Sequence, residues 1–299
     1  MRIKSLKKEL PLHLMVLPGL LIILIYSYGP MFGIIMAFQD YVPVFGFTKS
    51  DWVGFDNFRF MLSLPDTSTV FWNTVIIAVL KIIANIVVPL TVALLINDIS
   101  SKWFRRGLQT SIYLPHFLSW VIVGGILIDI LSPSHGIVNG FIQWLGLEPV
   151  YFLGDNFWFR VVLVVSNEWK EFGFSSIIYL AALSGVNPSL YEAAEIDGAG
   201  KWKQLWHITL PGIRPIIVLL MTLSLGNVLN AGFEQVLILY SPQVYASGDV
   251  IDTMVYRMGL EDMQYSLAAS IGLIKSALSL ILISLSYWLA YRLVNYRIF

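Results

Sequence analysis

Cysteine is absent from the chain, which excludes disulfide frameworks and thiolate metal sites. Charge is scarce as well. Asp, Glu, Lys and Arg make up 13% of 299 residues, about half the share that coats a water-soluble domain. Those charges sum to zero, leaving no basic surface for nucleic acid. No Gly-x-x-x-x-Gly-Lys-Ser/Thr run occurs, so the chain has no phosphate-cradling loop of its own for ATP. The four histidines, His13, His116, His135 and His207, fall in separate segments without the i, i+4 spacing of a helical metal pair. No repeat of about 20–50 residues and no Gly/Ser-rich or Pro-rich linker divides the chain, so residues 1–299 read as one membrane domain.

What is present is apolar: 57% of the residues are hydrophobic. About 20 such residues cross the ~30 Å hydrocarbon core of a bilayer as a helix. Six stretches qualify, at 14–36, 70–96, 108–131, 157–183, 213–239 and 267–293, and predict an all-α protein of six transmembrane helices. The first follows Arg2, Lys4, Lys7 and Lys8 as a secretory signal would, but it is long and lacks a small-residue cleavage site, so it reads as a retained span. Lys and Arg accumulate on the cytoplasmic side of membrane proteins. With the N-terminus inside, the inner segments hold twelve: Arg2, Lys4, Lys7, Lys8, Lys102, Arg105, Arg106, Lys201, Lys203, Arg214, Arg292 and Arg297. The outer loops hold three, Lys49, Arg59 and Arg257, and the asymmetry places both termini in the cytoplasm.

The loop at 187–211, between the fourth and fifth spans, is far more polar than its flanks. Asn187 suits a helix N-cap and Pro188 the first helical position. Gly198 can take the left-handed conformation that ends a helix, and a second helix fits 201–209, stopping before Pro211. This helix–turn–helix has two readings. In one it is an interfacial connector, with Trp202 and Trp206 at the headgroups and Lys201 and Lys203 facing lipid phosphate. The other comes from resemblance. Glu192-Ala193-Ala194, then Gly198, then Ile208, Leu210 and Pro211 resemble the signature cytoplasmic loop of binding-protein-dependent ABC importer permeases. The resemblance implies a coupling helix that docks on a nucleotide-binding subunit, with Glu192 as its charged anchor, Asp197 beside the turn and Gly198 allowing the bend.

Further runs resemble the carbohydrate, maltose-type branch of that family: Gly54-Phe55-Asp56-Asn57-Phe58, Phe71-Trp72-Asn73-Thr74, Leu114-Pro115 and Tyr265-Ser266-Leu267-Ala268-Ala269-Ser270. The start, from Leu17-Pro18-Gly19 through Tyr28-Gly29-Pro30 to Phe38-Gln39-Asp40-Tyr41, resembles a subgroup serving polysaccharide-derived oligosaccharides in Gram-positive bacteria. This resemblance implies a bacterial plasma-membrane protein and an oligosaccharide cargo, with another binding-protein-delivered solute as the alternative. It implies four kinds of partner: a second homologous permease, two ATP-binding subunits, an external lipid-anchored solute-binding protein and membrane lipid. ATP and Mg would sit on the partner ATPase and no cofactor on this chain.

Ionisable groups within spans are costly, at least ~2.5–3.5 kcal/mol each at a helix centre, and mark functional candidates. Lys81 and Asn85 lie one turn apart on one face, and an inward-facing role is expected for Lys81. Asn167, Glu168, Trp169, Lys170 and Glu171 form either part of a pore or a structural ion-pair network. Asp129 and Lys275 lie near span ends and are expected to snorkel to the interface. The fifth span is interrupted by a polar run at 226–235. Asn227, Asn230 and Glu234 would share a face in a continuing helix and, with Gln235, Lys81, Asn85 and Trp169, could line a sugar pathway. The alternative is that the asparagines hold the spans together. A secondary transporter would show inverted repeats and no docking loop, and a membrane-embedded enzyme would show clustered catalytic groups; neither pattern is present.

Overall fold

A computed structural model describes the backbone of residues 2–294 and the side chains of residues 10–288 and of Arg292. Arg297 lies outside the described residues, as do the side chains of Arg2, Lys4, Lys7 and Lys8. Two compact units emerge. One runs to Leu64 and takes in Val255–Ile274; the other comprises Pro65–Met254 and continues from Lys275.

In the first unit, helix α1 (Arg2–Ile23) passes through a π turn at Leu24–Tyr28 into a 3-10 helix at Gly29–Phe38. Pro30 is the cause: it has no N–H to give the Tyr26 carbonyl and its ring crowds that turn, so the winding loosens before it and tightens after it. The chain then enters β1 (Gln39–Asp40), paired antiparallel with β2 (Asp51–Trp52). Asn57 Nδ2 donates to the carbonyls of Ala37 and Gln39 at 3.0 and 2.9 Å, and Phe38 stacks on Trp52, which fixes the hairpin on the helix end.

The second unit contains α2 (Pro65–Asn97), α3 (Lys102–Tyr113), α4 (Trp120–Ile130), α5 (Asn156–Ser184), α6 (Pro188–Ile196), α7 (Lys201–Gln204), α8 (Leu210–Gly226) and α9 (Phe233–Leu239). Helix α10 (Tyr265–Val294) gives its residues up to Ile274 to the first unit and the rest to the second.

Among the described residues, four helices are long and apolar enough to cross a membrane: Leu10–Phe38, Pro65–Asn97, Lys201–Gly226 and Tyr265–Trp288. A fifth candidate is a pair, Lys102–Phe117 and Trp120–Ile130, bent by 98°. The expected continuous span at 108–131 is thus broken: Pro115 withholds a backbone donor, and the Ser119 hydroxyl accepts from Ile122 N to start α4 afresh. Helix α5 has the length of a span, but Arg160, Glu168, Lys170 and Glu171 set its composition apart from the other four. The helix expected to stop before Pro211 runs on instead. A π turn at Leu205–Thr209 absorbs the donor that Pro211 lacks, and Lys201–Gly226 is one 26-residue helix.

Packing fixes the directions of these helices. Ile77 packs with Phe159 and Leu163, and Ala93 with Tyr179 and Leu183, so α2 and α5 run parallel. Ile213 joins the Tyr179 end and Leu239 the Phe159 end, so α8 and α9 run the other way. Where lipid is as apolar as leucine, close approach of backbones replaces the hydrophobic drive. Such an approach occurs at Gly173, where an added Cβ would lie 1.9 Å from the Ile112 carbonyl oxygen. Gly125 on α4 has open space around it. Gly173→Ala is expected to lower unfolding stability by about 1–3 kcal/mol, and Gly125→Ala by no more than ~0.5 kcal/mol. Thermal unfolding of the purified protein in lipid nanodiscs measures both, and equal midpoints would show that the α3–α5 contact is loose.

Candidate functional site

Two helix breaks face the middle of α5. The first lies between α8 and α9. Gly226 ends α8, residues 227–231 turn, and Gly232 at φ +91° starts α9 in a conformation that side chains disfavour. Lys81 of α2 holds this break. Its buried ammonium donates to the Ala231 carbonyl at 2.6 Å and to Gln235 Oε1. The Gln235 amide Nε2 then donates to the Leu163 carbonyl and to Ser166 Oγ, both at 2.8 Å. One lysine and one glutamine thereby join α2, α5 and α9 at the point where the helix is unwound. A Cβ on residue 232 would lie 2.8 Å from Lys81 Nζ, so a side chain there would push the ammonium aside as well as strain the left-handed backbone.

The helix break changes the geometry expected of the asparagines. Asn227, Asn230 and Glu234 do not share a helix face, because the helix ends before the first of them. Asn227 and Asn230 still meet, with Asn230 Nδ2 donating to Asn227 Oδ1 at 3.4 Å, and both are exposed. Glu234 is exposed in the first turn of α9, and Asn85 is half-buried one turn beyond Lys81. Lys275 does not snorkel. Its ammonium donates to Asn230 Oδ1 at 2.9 Å and pairs with the Asp252 carboxylate, because oxygen acceptors sit within reach inside the unit.

The second break lies between α3 and α4 and carries a constellation that spacing alone does not show. His116, at the bend, places Nδ1 2.7 Å from Glu171 Oε2, and Glu171 Oε1 accepts from Lys170 at 2.8 Å. Lys170 also donates to the His116 carbonyl at 3.0 Å and lies 5.6 Å from the Trp120 ring. The imidazole stacks on Phe174 at 4.0 Å. Glu168 stays outside this network, with both oxygens buried and unbonded. Trp169, 47% exposed, lines an apolar cavity of about 390 Å³ with Val123, Leu127, Phe152 and Val165. The halves beyond the two breaks touch: Gly124 of α4 lies against Ile238 of α9. The available signal for His116 was Pro115 beside it, since a proline within a span marks a bend where polar groups collect.

At one end of the parallel pair, the loop at 187–211 has the local structure its sequence predicts. Asn187 Oδ1 accepts from Ser189 N at 3.1 Å, with Pro188 in the first turn. Gly198 at φ +76° closes a Schellman stop, in which Ala199 N donates to the Ala194 carbonyl and Gly198 N to the Glu195 carbonyl. The Tyr191 and Thr209 hydroxyls bond at 2.9 Å and tie the first helix to the second. Glu192, Ala193, Asp197, Gly198 and Pro211 are exposed, as is Ile196 at 87%, while Ala194, Ile208 and Leu210 are half-buried beneath them. Lys102, Arg106, Lys201, Lys203 and Arg214 are exposed at this same end.

The family described as binding-protein-dependent transport system inner membrane component matches residues 85–297, which include both breaks and the loop. The chain belongs to that family. The permease is 43% identical over 279 residues to protein LplB of Bacillus subtilis, covering 93% of this chain and 88% of the relative. It is 41% identical over 279 residues to the polygalacturonan/rhamnogalacturonan transport system permease protein YteP of the same species, covering 93% and 87%. Its fold matches a chain in the crystal structure of a bacterial ABC transporter involved in the import of the acidic polysaccharide alginate. That match has a TM-score of 0.91 and 39% identity, over 98% of this chain and 100% of the other.

The geometry at Lys81 has a measurable consequence for the permease. Gln235→Leu leaves a buried ammonium with one acceptor and is expected to cost about 3–5 kcal/mol of stability. Adding Lys81→Met should recover part of that loss, since it removes the buried charge while leaving the Ala231 carbonyl without its donor. A double-mutant cycle of unfolding free energies reads the coupling, and additive losses would show that the two side chains act separately.

Proposed function

We propose that this permease forms half of the translocation path of an ATP-driven importer that carries oligosaccharides released from a polysaccharide into the bacterial cytoplasm by alternating access. The observation that carries the proposal is the pairing of two features in one unit: helices interrupted opposite the middle of α5, and an exposed, capped helix–turn–helix at the basic end. Unwound backbone at membrane depth is tolerated where protein or water satisfies it, and transporters use it to bind cargo. The similarity to permeases named for polygalacturonan/rhamnogalacturonan transport and to an alginate importer supports a polysaccharide-derived cargo.

The six-span reading has physical support. Parallel α2 and α5 require an odd number of crossings between them, which the bent α3–α4 pair supplies as one. With α1 before them and α8–α9 and α10 after, the count is six, and the basic end is cytoplasmic. The partners follow the family pattern: a second homologous permease, two ATP-binding subunits carrying ATP and Mg, and an external solute-binding protein. A related structure shows the alginate transporter in complex with an alginate pentasaccharide-bound periplasmic protein, in keeping with delivery from outside.

In this account Glu192 anchors the loop on an ATP-binding subunit, and the left-handed turn at Gly198 sets the angle of its two helices. Glu192→Ala and Gly198→Val should leave the protein in the membrane, abolish ATP-dependent uptake and weaken co-purification of the ATP-binding subunit. Normal uptake by both variants would instead favour the interfacial-connector reading. Asn227 and Asn230 offer amides to sugar hydroxyls. Asn227→Ala or Asn230→Ala should raise the half-saturating cargo concentration about 2–10-fold, the worth of one neutral hydrogen bond. Unchanged kinetics in an assembled complex would move the pathway elsewhere.

A further inference from the structure

A groove of about 720 Å³ opens between α2 and the first turns of α5. Ile76, Leu80, Val161, Val164 and Val165 form an aliphatic wall, Asn156, Phe157, Ala246 and Ser247 complete the lining, and Arg160 stands in it. Arg160 is half-buried and holds only neutral partners. Its Nε donates to the Ser247 carbonyl at 3.0 Å and one terminal nitrogen to Asn73 Oδ1 at 2.8 Å. The acidic side chain five residues before it, Asp155, is engaged as the helix cap, accepting from Phe157 N and Trp158 N. Among the described residues no carboxylate pairs with this guanidinium.

Depth distinguishes what such a groove can hold. Helix α5 ends at Ser184, beside the basic loop, and helices rise 1.5 Å per residue. Val164 therefore lies about 30 Å from that end and Arg160 about 36 Å, against a hydrocarbon thickness of ~30 Å. Leu80 and Ile76 lie about 26 and 32 Å from the matching end of α2 at Asn97. By these distances Leu80 and Val164 stand in the outermost hydrocarbon of the far leaflet, while Ile76 and Arg160 lie just beyond it, where the headgroups begin.

We propose that this groove binds an anionic phospholipid of the outer leaflet, with its phosphate on Arg160 and an acyl chain along Val161, Val164 and Leu80. A guanidinium with two N–H bonds committed to neutral acceptors keeps donors and a full charge for phosphate. The continuous aliphatic wall of Ile76, Leu80, Val161, Val164 and Val165 suits an acyl chain, while Asn156 and Phe157 line the groove at its Arg160 end.

The test uses the whole importer, reconstituted in vesicles of equal parts phosphatidylcholine and phosphatidylglycerol. Lipids retained after extraction are counted by native mass spectrometry. Wild type should retain phosphatidylglycerol in preference, and Arg160→Gln should lose that preference about tenfold, the worth of a charge-assisted hydrogen bond. Val164→Trp fills the groove while leaving the Arg160 bonds in place, so it should lose the lipid even if Arg160→Gln assembles poorly. Excess inorganic phosphate should leave retention unchanged. Equal retention by wild type and Val164→Trp would overturn the proposal, as would displacement by phosphate. So would a benzophenone side chain at position 164 that crosslinks to another subunit instead of to lipid.

Discussion

An ammonium group inside an apolar helix pair must find oxygen, and Lys81 finds it in a backbone carbonyl that is free because a neighbouring helix is unwound. The dependence runs both ways. A carbonyl released at membrane depth costs several kcal/mol unless it is paired, and Lys81 pairs that of Ala231. Gln235 extends the arrangement to α5 through Leu163 and Ser166, so the break is braced on two sides. Gly232 completes it, since its left-handed backbone suits glycine and a Cβ there would crowd the Lys81 ammonium.

That brace has consequences beyond its own atoms. By holding α9 against α5, it positions Ile238 against Gly124 of α4 and brings the second break near the first. The polar stretch of α5 then has breaks on either side of it, with Lys81 and Gln235 at one and His116, Lys170 and Glu171 at the other. At its far end α5 passes through Ser184 into the capped loop, so one rigid helix connects the interrupted interior with the proposed docking surface. A rigid connector suits a machine in which events at an ATP-binding subunit alter access at the membrane centre.

Much of this was legible in the residues. Local chemistry predicted the cap at Asn187, the first-turn Pro188 and the left-handed Gly198, because each depends only on near neighbours. Hydropathy located the long helices, and the mid-span lysine pointed inward as its desolvation cost requires. What failed depended on three dimensions. A hydropathy window cannot see that Pro115 turns the chain through 98°, or that Pro211 is absorbed by a π turn and does not end its helix. The sequence alone places Lys275 at the interface because its partners, Asn230 and Asp252, lie 45 and 23 residues away in sequence. His116 looked isolated for the same reason, its carboxylate partner being 55 residues distant.

The central claim is that this membrane chain moves an oligosaccharide only when coupled to ATP-binding partners. Proteoliposomes holding the permease with its second permease, ATP-binding subunits and external binding protein test it directly, by uptake of a labelled oligogalacturonate or oligoalginate. Uptake should require internal ATP and fall to background when the ATP-binding subunits are left out. Uptake that persists without them, driven by an ion gradient, would contradict the account.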